Sequence, residues 1–206
     1  MGRLGAAFRR GENGEAAWDD GVQPPAQGEW TEADYFDLTS CNSFIEFNNG
    51  TIQYPSLPTA RHQRIVANLT CALGNFLEPR GGAAWLVGLS VRTLSGVIRM
   101  PDVVAMLDKH DNRAGERVFD GADLLVEVVS DDSDGHKRDY EDKRKEYAAA
   151  GIPEYWIVDP IELRITVLRL DSAKYTEYCV AGEGETAVSA LLDGFSVEAT
   201  KVFHRD

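Results

Sequence analysis

One short run constrains this chain more than any other feature: Leu124-Leu125-Val126-Glu127-Val128-Val129. Such an aliphatic stretch predicts a central strand covered on both faces, as in a sheet flanked by helices. Alternation places Leu125, Glu127 and Val129 on one face and Leu124, Val126 and Val128 on the other. Glu127 is the residue that does not fit. A carboxylate there is costly unless it is paired, hydrogen-bonded or bound to a metal.

The rest of the chain supplies the layers that such a strand needs. Residues 1–30 contain six glycines, the pair Pro24-Pro25 and few bulky aliphatics. That segment cannot offset its ordering entropy and is expected to be a flexible tail. The folded domain is expected over 31–206. Thr31 with Asp34 predicts a cap for a short helix through Leu38. Phe44–Phe47 and Thr51–Tyr54 flank Asn48-Asn49-Gly50, a hairpin signal. Ile65, Val66, Leu69, Ala72, Leu73, Phe76 and Leu77 recur at the helical period, and Pro79 with Gly81-Gly82 stops that helix. Strands are expected over Trp85–Leu94, Val97–Leu107, Leu124–Val129, Glu154–Val158, Leu163–Leu170 and Tyr175–Val180. A charged helix over about 136–150 ends at Gly151. This order predicts one α/β (α+β) domain, a mixed β-sheet core flanked by helices.

Composition excludes several classes. The net charge is −13, from 21 Lys and Arg against 34 Asp and Glu. That balance argues against a broad, charge-driven nucleic-acid coat protein, although not against a local groove. Cys41, Cys71 and Cys179 form no CxxC pair, so neither a disulfide framework nor a thiolate zinc site is expected. A cytoplasmic location is the simplest reading, with no membrane partner.

Two further residues stand beside Glu127. Asp102 follows Pro101 at the start of the strong strand Val103–Leu107, and two carboxylates on neighbouring strands can share one hard cation. Lys143 lies between Tyr140 and Tyr147 at i, i+3 and i+7, which turns it toward the sheet and toward Glu127. Two carboxylates, a cation and a lysine suit hydrolysis of a phosphodiester, with Mg²⁺ or Mn²⁺ preferred over Zn²⁺ by oxygen donors. The non-catalytic reading of the same residues is a buried Glu127–Lys143 ion pair.

Pro101-Asp102 followed by Leu124–Ser130 resembles the PD-(D/E)XK nuclease superfamily. Within it, Asp139-x-x-x-Lys143-x-x-x-Tyr147 and Gly151-Ile152-Pro153-Glu154-Tyr155-Trp156-Ile157-Val158-Asp159-Pro160 are similar to the Uma-two family of bacterial restriction-endonuclease-like proteins. Ile45-Glu46, Asn49-Gly50 and His62 also fit, so the likeness covers roughly 31–206. It implies the restriction-endonuclease-like fold, with Asp102, Glu127 and the Val128 carbonyl as metal ligands. The superfamily's lysine usually sits two residues after the Glu, where this chain has Val129; the family pattern maps it onto Lys143. Glu46 and His62 become accessory residues, and Asp139 an orienting partner of Lys143. The family often has Pro-Ser-Thr after the strand-end serine, where this chain has Asp131-Asp132-Ser133-Asp134.

The resulting expectation is a Mg²⁺-dependent endonuclease acting on DNA, with a homodimer as the arrangement that would give duplex cleavage its two sites. The first rival is a nuclease-fold binding or interaction module without activity, favoured by the acidic surface and by Val129. A third class is a hydrolase of small phosphates, which predicts a closed pocket rather than a groove.

Overall fold

The computed structural model describes residues 8–10, 16–18, 23–39, 44–86, 88–130 and 135–204. The acidic stretch 131–134, and all of the expected tail before residue 23 save two short strands, lie outside the described residues. Those strands, β1 (Phe8–Arg10) and β2 (Ala16–Trp18), pair antiparallel. Next come helix α1 (Glu32–Thr39) and the hairpin β3 (Glu46–Asn48) and β4 (Thr51–Gln53). Helix α2 (Ala60–Leu77) leads through a 3₁₀ turn (Glu78–Arg80) into β5 (Ala83–Leu86), β6 (Ser90–Leu94), β7 (Val97–Arg99) and β8 (Val103–Met106). After β9 (Val118–Phe119) and β10 (Leu124–Val128), one continuous helix is built from α3 (Gly135–Lys137), a π-helical turn (Arg138–Asp142) and α4 (Lys143–Ala149). The chain ends with β11 (Glu154–Asp159), β12 (Arg164–Asp171), β13 (Lys174–Ala181), β14 (Thr186–Val188), β15 (Ser196–Glu198) and α5 (Ala199–Phe203).

The main sheet has six strands in the order β13-β12-β11-β10-β8-β5. β10 pairs parallel with β11 and antiparallel with β8, so it is central and mixed. Its two faces divide as alternation requires. Leu124, Val126 and Val128 join Ile65, Val66, Leu69, Leu73 and Leu77 of α2 in one core. Leu125 and Val129 join Tyr147 and Ala148 of α4, with Tyr155 and Ile157 of β11, in the other. Each layer hides the apolar face of the next, and that burial is the main source of stability.

The sequence reading expects long strands over Trp85–Leu94 and Val97–Leu107. The structure breaks both, and the halves enter different sheets. β6 and β7 belong to a second, five-stranded sheet ordered β4-β3-β7-β6-β9, while β5 and β8 lie in the main sheet. Gly88 at φ +105° turns the first stretch, and Pro101 interrupts the second because it has no N–H for a ladder. The crossing Met100-Pro101-Asp102 thus carries the chain from one sheet to the other. Where a single sheet is expected, the two larger of the four sheets among the described residues meet at Asp102.

The start of the domain follows its local chemistry. Thr31 N donates to Asp34 Oδ2 at 2.9 Å and Asp34 N to Thr31 Oγ1 at 3.2 Å, a reciprocal cap for α1. Order reaches further back than Thr31. The Gln27 amide pairs with both the N–H and the carbonyl of Ile52, and Gly28 N and Trp30 N bind the Gly50 carbonyl. Gly50 must be glycine here: φ is +82°, and a Cβ would meet Gly28 O at 2.5 Å. Among the described residues no helix is long and apolar enough to cross a membrane.

Candidate active site

The first carboxylate comes from the sheet junction. Asp102 is buried, and its Oδ2 accepts the Val128 main-chain N–H at 2.7 Å. His62, on the first turn of α2, brings Nε2 to 3.2 Å from the same oxygen. Thr59 caps that helix by accepting the His62 N–H at 3.2 Å, which fixes where the imidazole starts. Burial disfavours the charged imidazole, but Asp102 and the Val128 carbonyl raise its pKa above the ordinary histidine value.

The second carboxylate is Glu127, 3% exposed. Lys143 Nζ lies 2.8 Å from its Oε1, and the Tyr147 hydroxyl donates to the same oxygen at 2.5 Å. Burial pushes the Glu127 carboxyl up to about 8, with Lys143 opposing and Asp102 and Asp139 adding to the rise. Lys143 stays charged: burial works against it, yet Glu127, Glu46 and Asp139 together hold its pKa above the usual lysine range. The contacts to Asp102 converge on Oδ2 and those to Glu127 on Oε1.

The helix that carries Lys143 shows why three inward residues can share a face. In an α-helix each step of four residues overshoots a full turn by about 40°, so positions 139, 143 and 147 would drift around the axis. The π turn over Arg138–Asp142 is wider and works against that drift. Asp139, Lys143 and Tyr147 are all buried, and Asp139 Oδ1 lies 3.5 Å from Lys143 Nζ.

Glu46, on β3, stands on the far side of Lys143, 4.0 Å from Nζ. It accepts Met100 N at 3.1 Å and Arg99 Nη1 at 2.9 Å. Burial opposes its ionisation, but Lys143 and Arg99 pull its pKa below the ordinary carboxylate value. Arg99 also clamps Glu146 of α4 through Nε and Nη2, the latter at 2.7 Å, and donates to Gln53. The guanidinium therefore ties the second sheet to the helix that bears Lys143.

All six residues singled out from the sequence line one cavity of about 650 Å³: Glu46, His62, Asp102, Glu127, Asp139 and Lys143. Val128 lines it as well. Val129, in the position of the superfamily's lysine, is buried in the apolar layer beneath α4. Two residues escaped the sequence reading as parts of this centre. Arg99 was detectable by the logic that exposed Glu127, since it too is a charge inside an apolar strand, Val97-Ile98-Arg99-Met100. Helical spacing places Tyr147 on the inward face, but nothing in that spacing reveals its bond to Glu127.

The donor chemistry fits a hard divalent cation. Asp102, Glu127 and a main-chain carbonyl offer oxygen only, and four buried carboxylates face the cavity where Lys143 is the one buried cation lining it. Among the described residues no three side chains of His, Cys, Asp or Glu are gathered to hold an ion by themselves. An ion here would complete its shell with water or substrate.

Comparison with known proteins agrees with this architecture. The model of the Uma2 family, described as putative restriction endonuclease, matches residues 33–200. No curated protein matches the chain. Among solved structures, a putative nuclease belonging to DUF820 from Anabaena variabilis superposes with a TM-score of 0.67 at 17% identity, over 84% of this chain and 97% of that one. At that identity the likeness shows the fold, which is restriction-endonuclease-like.

Proposed function

This chain belongs to the Uma2 family of putative restriction endonucleases, and on that premise we propose that its cavity is the active site of a metal-dependent endonuclease that hydrolyses DNA phosphodiester bonds. The observation that carries the reading is the meeting of Asp102, Glu127 and Lys143 at one cavity, with Lys143 Nζ 2.8 Å from Glu127. Asp102, Glu127 and the Val128 carbonyl would hold Mg²⁺ or Mn²⁺. When bound, such an ion supplies charge neutralisation on the phosphate and lowers the pKa of bound water.

The chain's own residues do the remaining work. Tyr147 and Lys143 fix Glu127 by one oxygen, and Val128 N and His62 fix Asp102 by one oxygen, so both carboxylates are oriented before any ligand arrives. Lys143 places a fixed positive charge where negative charge develops on the phosphoryl oxygens. Asp139 and Glu46 keep that lysine protonated. His62 can pass a proton at the Asp102 side.

Supercoiled plasmid incubated with Mg²⁺ or Mn²⁺ tests the reading, with Glu127→Gln beside the wild type. Nicking by the wild type and its loss in the variant are expected, together with loss of Mn²⁺ binding by calorimetry. Equal nicking by both proteins, or by neither, removes the assignment and leaves a nuclease fold used for binding alone.

A further inference from the structure

One wall of the cavity is unlike the rest. Its floor is charged, but its rim carries Phe44, Tyr54 and Leu57, which are 51%, 71% and 87% exposed. Large apolar side chains that line a functional cavity and remain open to solvent mark a contact surface. Tyr54 precedes Pro55 and Leu57 precedes Pro58. A following proline confines each backbone to extended conformations, so this wall is stiff although it belongs to no strand or helix. A preordered wall loses little entropy when it takes a ligand.

The cations are few. Among the described residues, Arg138 and Lys143 are the Lys and Arg residues of the lining, and Lys143 is engaged with three carboxylates. A duplex is held largely through many phosphate contacts, and the described lining offers two Lys or Arg side chains for them. What it does supply is exposed aromatic side chains beside an acidic, lysine-bearing floor. That pairing suits one nucleotide whose base is not engaged in a duplex, because every unpaired base has a face to stack. The volume, about 650 Å³, fits a ligand of that size.

We propose that the cavity binds a single-stranded stretch of nucleic acid, with an unpaired base stacked against the Tyr54–Leu57 wall and its phosphate directed to the Asp102–Glu127 floor. This rests on the nuclease reading for the direction of the phosphate. It narrows the substrate to strands that are unpaired or locally opened, and it makes Tyr54 a substrate-binding residue.

The test is a binding measurement, independent of turnover. Fluorescence anisotropy is recorded with labelled oligothymidylate about 12 nucleotides long, with its ribose counterpart oligouridylate, and with a duplex of the same length. Ca²⁺ replaces Mg²⁺ as a hard cation of equal charge. Single strands are expected to bind more tightly than duplex. Tyr54→Ala is expected to weaken single-strand binding about tenfold, in line with the loss of one stacked base, and Tyr54→Phe to retain it. Whichever of the two sugars binds more tightly identifies the natural strand, and either supports the proposal. Duplex binding as tight as single-strand binding overturns it, and so does unchanged single-strand affinity in Tyr54→Ala. A Tyr54→Ala or Leu57→Ala variant that alters sedimentation but not anisotropy assigns the wall to a second copy of the chain and also overturns it. The two readings fail separately: absent plasmid nicking leaves the anisotropy result standing, whereas nicking with Tyr54-independent binding removes only the stacking wall.

Discussion

Replacing Lys143 with Met probes the electrostatic centre most directly. The ammonium is buried and lies 2.8 Å from Glu127, 3.5 Å from Asp139 and 4.0 Å from Glu46. Burial has raised Glu127 to about 8, so near pH 7 the carboxylate that loses most is Glu46, which Lys143 helps to hold ionised. Removing one member of a buried ion pair costs about 3–5 kcal/mol, because the partner charge is left uncompensated. A ceiling comes from proton uptake. A carboxyl with an unfolded pKa near 4.5 can be neutralised at about pH 7 for roughly 3.4 kcal/mol, so the loss per carboxylate stays near that value. In a chain of this size the melting temperature should fall by roughly 6–15 °C. The signature is its pH dependence: near pH 5 neutralising the same carboxyl costs only about 0.7 kcal/mol, so most of the defect should vanish. Thermal denaturation of the wild type, Lys143→Met and Lys143→Met/Glu46→Gln at both pH values measures this. The double variant should recover about 1 kcal/mol or more through the lost coupling. A fall below about 2 °C at neutral pH, or a defect that persists unchanged in acid, would refute the picture of Lys143 as the cation of a buried acidic cluster.

Two other perturbations address the frame around that cluster. Arg99→Met strands Glu46 and Glu146 and should cost about 3–5 kcal/mol in urea denaturation; Arg99→Lys should rescue little, because one ammonium cannot reproduce the fork that reaches Glu146 and Glu46 together. Glu46 has a folded pKa below its ordinary value of 4.5, so its stabilisation is fully present above that pH and is lost as pH falls below it. Melting temperature against pH should therefore drop less steeply in acid for Glu46→Gln than for the wild type, and parallel curves would count against the Glu46–Arg99 contact.

Much of the architecture is legible because local and long-range signals agree. The cap of α1 is written in Thr31 and Asp34, the hairpin turn in Asn49-Gly50, and the two faces of β10 in the alternation of its apolar residues. Glu127 was visible as a violation of that alternation, and Lys143 followed from its helical spacing. What was not legible is tertiary. Trp85–Leu94 and Val97–Leu107 read as continuous strands because their residues suit a sheet throughout, and only the path taken after Gly88 and Pro101 shows that the halves serve different sheets. The π turn that keeps Asp139, Lys143 and Tyr147 on one face has no signature in the residues Arg138–Asp142. The last strands and α5 were weakly patterned for a physical reason: Glu154, far earlier in the chain, holds that segment through Ser189 and the main-chain N–H groups of Ala190 and Leu191.

The net charge of −13 gains a different meaning once its location is known. Among the described residues seven carboxylates are buried against two cations, Arg99 and Lys143. Three of the seven have structural partners in turns and caps: Asp34 with Thr31, Glu154 with the 189–191 segment, and Asp159 with the N–H groups of Ile161 and Glu162. The other four, Glu46, Asp102, Glu127 and Asp139, all face one cavity. At physiological salt, charges beyond about 8 Å are largely screened, so a phosphate approaching the floor meets this concentrated excess rather than the average surface. On the proposed reading, the strand and the divalent cation therefore cannot bind as independent ligands. Each relieves a repulsion that opposes the other, and linkage makes that help equal in both directions. An acidic chain is then not a poor nucleic-acid protein but a conditional one, whose affinity for a strand is set by the cation.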